Sequence, residues 1–64
     1  MNAVKVNRMA YDIQTRLMIF KKSLELGARK LPTGYENVWV FGFEDQTKYM
    51  EFWTYVIALK QMFE

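Results

Sequence analysis

Apolar residues run without interruption through one short segment near the middle of the chain, and this run predicts a β-strand over 38–43. Neither face of that strand is polar, so we expect it to be covered on both sides or to sit at the centre of a sheet. A lone strand leaves backbone N–H and C=O groups without partners. The expected partner is either the weak N-terminal run Ala3–Val6 or another molecule. The two faces consist of Trp39, Phe41 and Phe43 on one side, and of Val38, Val40 and Gly42 on the other.

A second pattern repeats at helical spacing and predicts a first helix over about 7–26. Its apolar positions project onto a stripe roughly 100° wide, which is typical of a helix face packed on a core. Asn7 is the expected N-cap, and Gly27 is expected to end the helix in the left-handed conformation. The residues of the stripe are Met9, Ile13, Leu17, Phe20 and Leu24.

The C-terminal segment predicts a second helix over 46–63, with Asp45 as its N-cap. Its apolar arc covers roughly 240°, more than twice the width that one core requires. We therefore expect this helix to contact another protein chain. Together with the strand before it, the helix supplies the predicted interface, which consists of Trp39, Phe41, Phe43, Tyr49, Phe52, Trp53, Val56, Ile57 and Lys60.

The segment 27–37 contains two glycines and the only proline, and it is expected to be a loop. Arg29, Lys30 and Tyr35 lie in it, shortly before Trp39. Cationic groups attract phosphate and aromatic rings stack on bases, so these residues are candidates for binding an anionic ligand or a nucleotide. In the alternative interpretation the two cations cap the preceding helix and the aromatic residues are structural.

These elements predict an α+β fold in the order helix, strand, helix, with 1–64 as a single domain and Ala3–Val6 as a possible edge strand. A chain of 64 residues builds only a marginal core, which is usually reinforced by disulfides, a metal or oligomerisation. The sequence has no cysteine and no histidine. Oligomerisation is the remaining option, so we expect a homo-oligomer, with the sheet completed across its interface, and no cofactor.

Charge is distributed unevenly along the chain. The net charge is +2, with +5 in residues 1–32 and −3 in residues 33–64. A basic half favours nucleic-acid binding as an alternative function. The short strand Ala3–Val6 followed by a basic helix resembles the ribbon-helix-helix repressors, and the resemblance implies DNA binding through paired N-terminal strands. The strand over 38–43 has no place in that fold.

Residues for catalysis are scarce. Histidine is the most frequent general base and cysteine is the strongest nucleophile, and the sequence contains neither. Ser23 is the only serine and is expected on the polar side of the first helix. Glu44 and Asp45 are adjacent, and capping is their expected role. We therefore expect a protein that is not an enzyme.

The favoured hypothesis is a small protein-protein interaction module that forms a homodimer or a larger homo-oligomer. Proteins of this size and type are frequently inhibitors or accessory proteins of phages and mobile elements, and they act on a protein partner. The alternatives are nucleic-acid binding through the basic half and binding of an anionic small ligand or nucleotide by the segment 29–39. No apolar run is long enough to span a bilayer, so we expect a cytoplasmic protein without a membrane partner.

Overall fold

The chain forms a three-stranded antiparallel sheet that carries two α-helices on one of its faces, which confirms the α+β class. The computed structural model describes residues 2–62, so the last residue predicted for the second helix, 63, lies outside the described part. In chain order the elements are β1 (Asn2–Asn7), a 3₁₀ turn (Arg8–Ala10), α1 (Ile13–Glu25), β2 (Arg29–Leu31), β3 (Val38–Phe43) and α2 (Gln46–Met62).

The predicted strand is β3, and it lies at the centre of the sheet between β1 and β2. β1 pairs with it along its whole length, from Asn2 opposite Phe43 to Asn7 opposite Val38. β2 pairs with its other edge, where Lys30 lies opposite Phe41. The chain itself therefore supplies partners on both edges of β3. A second molecule could extend this sheet only at β1 or β2.

Two boundaries predicted from the sequence differ from the structure. The segment 27–37 is not all loop, because Arg29–Leu31 forms β2. Three residues are too few to show a strand periodicity, and their pairing with β3 makes them a strand. The first helix begins at Ile13 rather than near Asn7, since the preceding residues belong to β1 and to the 3₁₀ turn. This β-α-β-β-α order also differs from the ribbon-helix-helix topology.

Side-chain caps explain where the helical segments start. Asn7 caps the 3₁₀ turn, where its side chain accepts a hydrogen bond from the backbone N–H of Met9. Asp12 caps α1, and its Oδ1 lies 2.8 Å from the backbone nitrogen of Thr15. Asp45 caps α2 as predicted, because its Oδ1 accepts from the backbone nitrogen of Thr47 at 2.8 Å. Each cap satisfies a backbone donor that the helix leaves unpaired.

The end of α1 follows the sequence prediction. Gly27 has a φ of 71° and lies directly after the C-cap residue Leu26. Its N–H donates to the carbonyl of Leu24, and the N–H of Ala28 donates to the carbonyl of Ser23. These two bonds form a Schellman motif, which favours glycine because a Cβ is strained in the left-handed region.

The core lies between the helices and the face of the sheet that carries the aromatic residues of β3. The Phe52 ring of α2 packs between two of them, with ring centroids 5.3 Å from Phe41 and 5.2 Å from Phe43. All three rings are fully buried. The remaining buried apolar residues are Val4, Val6, Ile19, Leu26 and Leu59.

Most of the apolar stripe predicted to pack α1 on the core faces solvent instead, and only Phe20 of its five residues packs against the core. Met9, Ile13, Leu17 and Leu24 are each 63–70% exposed, and Phe20 is half-buried.

The helix buries Thr15, Ile19 and Ser23, so Ser23 does not lie on a polar outer side as expected. The sheet already presents large rings beneath this helix, and small side chains fit the space that those rings leave.

Within residues 2–62, no helix combines the length and the apolar character needed to cross a bilayer.

Candidate functional site

One side of α2 leaves large apolar side chains in contact with solvent. Met50, Trp53 and Ile57 are 50%, 44% and 39% exposed, and their spacing of three and four residues places them in one row. We call this row the α2 flank. The half-buried ring of Tyr49 lies 6.5 Å from the ring of Trp53 and supports it at the base of the row.

Trp53 and Ile57 of the α2 flank are turned away from α1, whereas Met50 lines a cavity together with Lys22 of α1. The opposite side of α2 faces that helix, where the ammonium group of Lys22 lies 5.4 Å from the ring centroid of Tyr55. Trp53 and Ile57 are each two residues from Tyr55, which places them about 200° around the helix. Since α2 packs against β1 and β3 and its Tyr55 side faces α1, the Trp53 side is turned towards β1, which ends the sheet.

β1 presents an open strand edge on that side. Among the described residues it pairs only with β3, so its outer edge has unpaired backbone N–H and C=O groups. The strand is six residues long and lacks proline, and Lys5 is its only charged residue. It therefore has little of the protection that usually prevents an edge strand from pairing with another chain.

A second exposed row lies on α1. It comprises Ile13, Leu17 and Leu24, which we call the α1 stripe. Lys22, which faces α2, lies about 140° around the helix from Leu17 and about 160° from Leu24. The α1 stripe and the α2 flank therefore point to different sides of the molecule.

The structure separates the residues of the predicted interface. Phe41, Phe43 and Phe52 lie in the interior of a single chain, where they have no surface to offer a partner. Trp39, Tyr49 and Val56 are half-buried, and Trp53, Ile57 and Lys60 are exposed.

Several basic residues of the first half have partners within the chain. Arg16 is used in this way, since its Nε donates to the carbonyls of Arg8 and Tyr11 at 2.7 and 2.9 Å. Lys22 pairs with Glu25 at 3.6 Å, and Arg29 pairs with Glu44 at 3.9 Å. Nucleic-acid binding stays a prediction.

Two cations meet at one end of the sheet around Trp39. The guanidinium carbon of Arg8 lies 5.0 Å from the indole centroid, and the ammonium nitrogen of Lys30 lies 5.8 Å from it. A cavity of about 350 Å³ opens here, and Tyr35 also lines it. We call Arg8, Lys30, Tyr35 and Trp39 the Trp39 corner.

The Trp39 corner differs from the predicted anion site in one residue. Arg29 and Lys30 are neighbours in a strand, so their side chains point to opposite faces of the sheet. Lys30 shares the face of Trp39, whereas Arg29 lies with Glu44 at another cavity. The sequence prediction missed Arg8. The sequence feature that could have identified Arg8 is strand alternation. Every second residue shares a face, so residue 8 follows Val4 and Val6 on the face of the sheet that carries Trp39.

The residues considered for catalysis have structural partners. Ser23 is buried, and its hydroxyl donates to the carbonyl of Phe20. Asp45 caps α2, and Glu44 forms an exposed ion pair with Arg29. Over residues 2–62, no three acidic side chains come together in a way that could hold a metal ion.

Comparisons with known proteins do not supply a function. No protein-family model, no curated protein and no solved structure matches this chain.

Proposed function

We propose that this protein is a small, non-enzymatic interaction module that works as a homodimer. The observation that supports the proposal is the coincidence of two unpartnered features on one side of the molecule. The α2 flank is apolar and exposed, and its residue Trp53 lies on the side of α2 turned towards β1, whose outer edge is open. Exposed apolar rows of this kind mark interaction sites in small proteins.

The apolar contact alone is too small to hold two copies together. Burying a large side chain completely contributes about 1.5–3 kcal/mol, so a half-exposed one contributes about 1 kcal/mol. Three such residues from each copy give about 6 kcal/mol, which falls within the association cost of about 4–15 kcal/mol. A stable dimer therefore needs a second contribution.

Pairing of the β1 edges supplies that contribution. Two antiparallel strands related by a two-fold axis join into a continuous six-stranded sheet and satisfy the unpaired backbone groups. A register that places Val4 opposite its own copy sets Lys5 opposite Ala3, so the two lysines do not lie directly across from each other. The same axis brings the two α2 flanks together above the junction.

Measurement of mass in solution tests the proposal. We expect light scattering after gel filtration to give a mass of twice 7.7 kDa. Trp53→Glu should give a monomer, because it places a charge in the contact. Leu17→Glu is the matched control, since Leu17 is at least as exposed but lies on the α1 stripe. It should leave the dimer intact.

Two results would contradict this interface. The first is a wild-type mass of 7.7 kDa at about 100 µM, which would show that the protein is a monomer. This concentration lies well above the Kd of a specific dimer. Dissociation by Leu17→Glu and not by Trp53→Glu would move the contact to α1. Circular dichroism of each variant shows whether the monomer is still folded.

In this dimer the α1 stripe stays exposed and is the surface available to a different protein partner. That the protein is an inhibitor or accessory protein of phage or mobile-element type stays a prediction. Its cytoplasmic location also stays a prediction. Such a partner should not bind the Leu17→Glu variant but should still bind the Trp53→Glu variant. The dimer is expected to respond in the opposite way, with dissociation by Trp53→Glu only.

A further inference from the structure

The Trp39 corner holds two cations that no carboxylate neutralises. Among the described residues the ion pairs are Lys22 with Glu25 and Arg29 with Glu44. Arg8 and Lys30 have no acidic side chain of residues 2–62 within 4 Å, although both lie close to the same indole ring. Two cations that line one cavity make that cavity electrostatically favourable for an anion.

Arg8 is fixed in position before any ligand arrives. Its Nη1 donates to the carbonyl of Glu36 at 2.8 Å, and its backbone nitrogen donates to the carbonyl of Asn37 at 2.8 Å. Its guanidinium lies against Trp39, and its buried Nε has no hydrogen-bond partner within the described part of the chain. A positioned guanidinium loses little conformational entropy when it binds an anion.

The loop between β2 and β3 presents an aromatic surface at the same cavity. Tyr35 is 74% exposed. Its backbone is held by Thr33, whose hydroxyl donates to the Tyr35 carbonyl at 2.9 Å and accepts from the Tyr35 nitrogen at 3.0 Å. An exposed ring on an ordered backbone is a surface on which a planar base can stack.

From this arrangement we infer a second binding site, in which the Trp39 corner takes a mononucleotide. The phosphate lies with Arg8 and Lys30, and the base stacks on Tyr35. A cavity of about 350 Å³ falls at the small end of the range for ligand pockets and suits one nucleotide rather than a chain of them. Glu36 is the only carboxylate among its lining residues, so the two cations outnumber it.

Nuclear magnetic resonance of the wild-type protein tests this site with its own internal control. The chain has two tryptophans, and Trp53 lies on α2 outside the Trp39 corner. Titration with adenosine monophosphate should shift the indole N–H resonance of Trp39 and leave that of Trp53 unchanged. Inorganic phosphate and adenosine, titrated separately, should each bind more weakly than the nucleotide.

Substitutions separate the contributions of charge and stacking. Lys30→Ala should weaken nucleotide binding about tenfold, and Lys5→Ala, an exposed lysine on the other face of the sheet, should not change it. Tyr35→Ala should weaken binding of the nucleotide about tenfold without changing that of inorganic phosphate. Glu36→Gln should tighten the binding of both the nucleotide and inorganic phosphate, because it removes the one carboxylate among the described residues that line the cavity.

Three results would overturn the site. The first is an unshifted Trp39 resonance at about 5 mM nucleotide, a concentration above any useful affinity. The second is equal binding by the Lys30→Ala and Lys5→Ala variants. The third is a single-stranded oligonucleotide that binds about 100-fold more tightly than the mononucleotide, which would assign the corner to nucleic acid.

Discussion

The two helices of this domain lie on the same sheet but use their side chains in opposite ways. α2 packs on the sheet with large apolar residues, Phe52 and Leu59, which are buried. α1 buries only one large residue, Ile19, between Thr15 and Ser23. Each helix then leaves an apolar row outside, the α2 flank in one case and the α1 stripe in the other.

This difference shows that apolar periodicity identifies a row of residues but not the direction in which it points. The rings of β3 and Phe52 fill most of the space under the helices. Close packing then admits small side chains from α1, even when these carry hydroxyl groups. Those hydroxyls are satisfied locally, as Ser23 shows by donating to the carbonyl of Phe20.

The largest effect is expected on the buried side of α2. Phe52→Ala should cost about 3–5 kcal/mol, because it removes a ring with no exposed surface from between two others. A core of this size supplies little more than that in total, so the variant should be unfolded at 25 °C by circular dichroism. Thr54→Ala, an exposed position on the same helix, should change the unfolding free energy by less than about 0.5 kcal/mol.

A smaller effect tests the buried side of α1. Ile19→Ala should lower the free energy of unfolding by about 2–5 kcal/mol in urea titrations, since Ile19 is fully buried. Leu17→Ala should lower it by less than about 0.5 kcal/mol, because Leu17 is 64% exposed. The reverse order would mean that the α1 stripe packs on the core after all.

The smallest effect concerns the cap of α1. Hydrogen bonds from the hydroxyl and the backbone N–H of Thr15 hold the pKa of Asp12 below its ordinary value of 3.8. A lowered pKa means that the ionised carboxylate stabilises the folded state above that value. The stabilisation is lost as the pH falls from there through the folded-state pKa.

Asp12→Asn isolates this contribution, because asparagine also caps helices but does not titrate. The wild type should have the higher melting temperature at about pH 6, and the difference should shrink towards about pH 2.5. A difference that stays constant across this range would show that the charge of Asp12 does not contribute.

The sequence predicted the elements whose signals are local. The bounds of β3 follow from one apolar run, and the positions of Gly27 and Asp45 follow from the chemistry of helix ends. β2 could not be predicted in the same way, since its three residues have no pattern of their own. They become a strand only because β3 lies beside them.

The Trp39 corner was predicted only in part, for a related reason. Lys30, Tyr35 and Trp39 lie close together in the sequence, and their chemistry was apparent there. Arg8 directly follows β1 and reaches the corner only through the pairing of β1 with β3. Arg29 was included because it precedes Lys30, but strand alternation places it on the other face of the sheet.

By itself the sequence determined that this chain has a central strand, a capped C-terminal helix and more apolar surface than one small core can bury. Only the tertiary structure decided which apolar residues remain outside. The sequence predicted that surplus for α2 alone, and the fold also leaves it on α1. The reason is that a row of apolar residues is a property of one helix, whereas its burial depends on the volume that the sheet and the other helix have already filled.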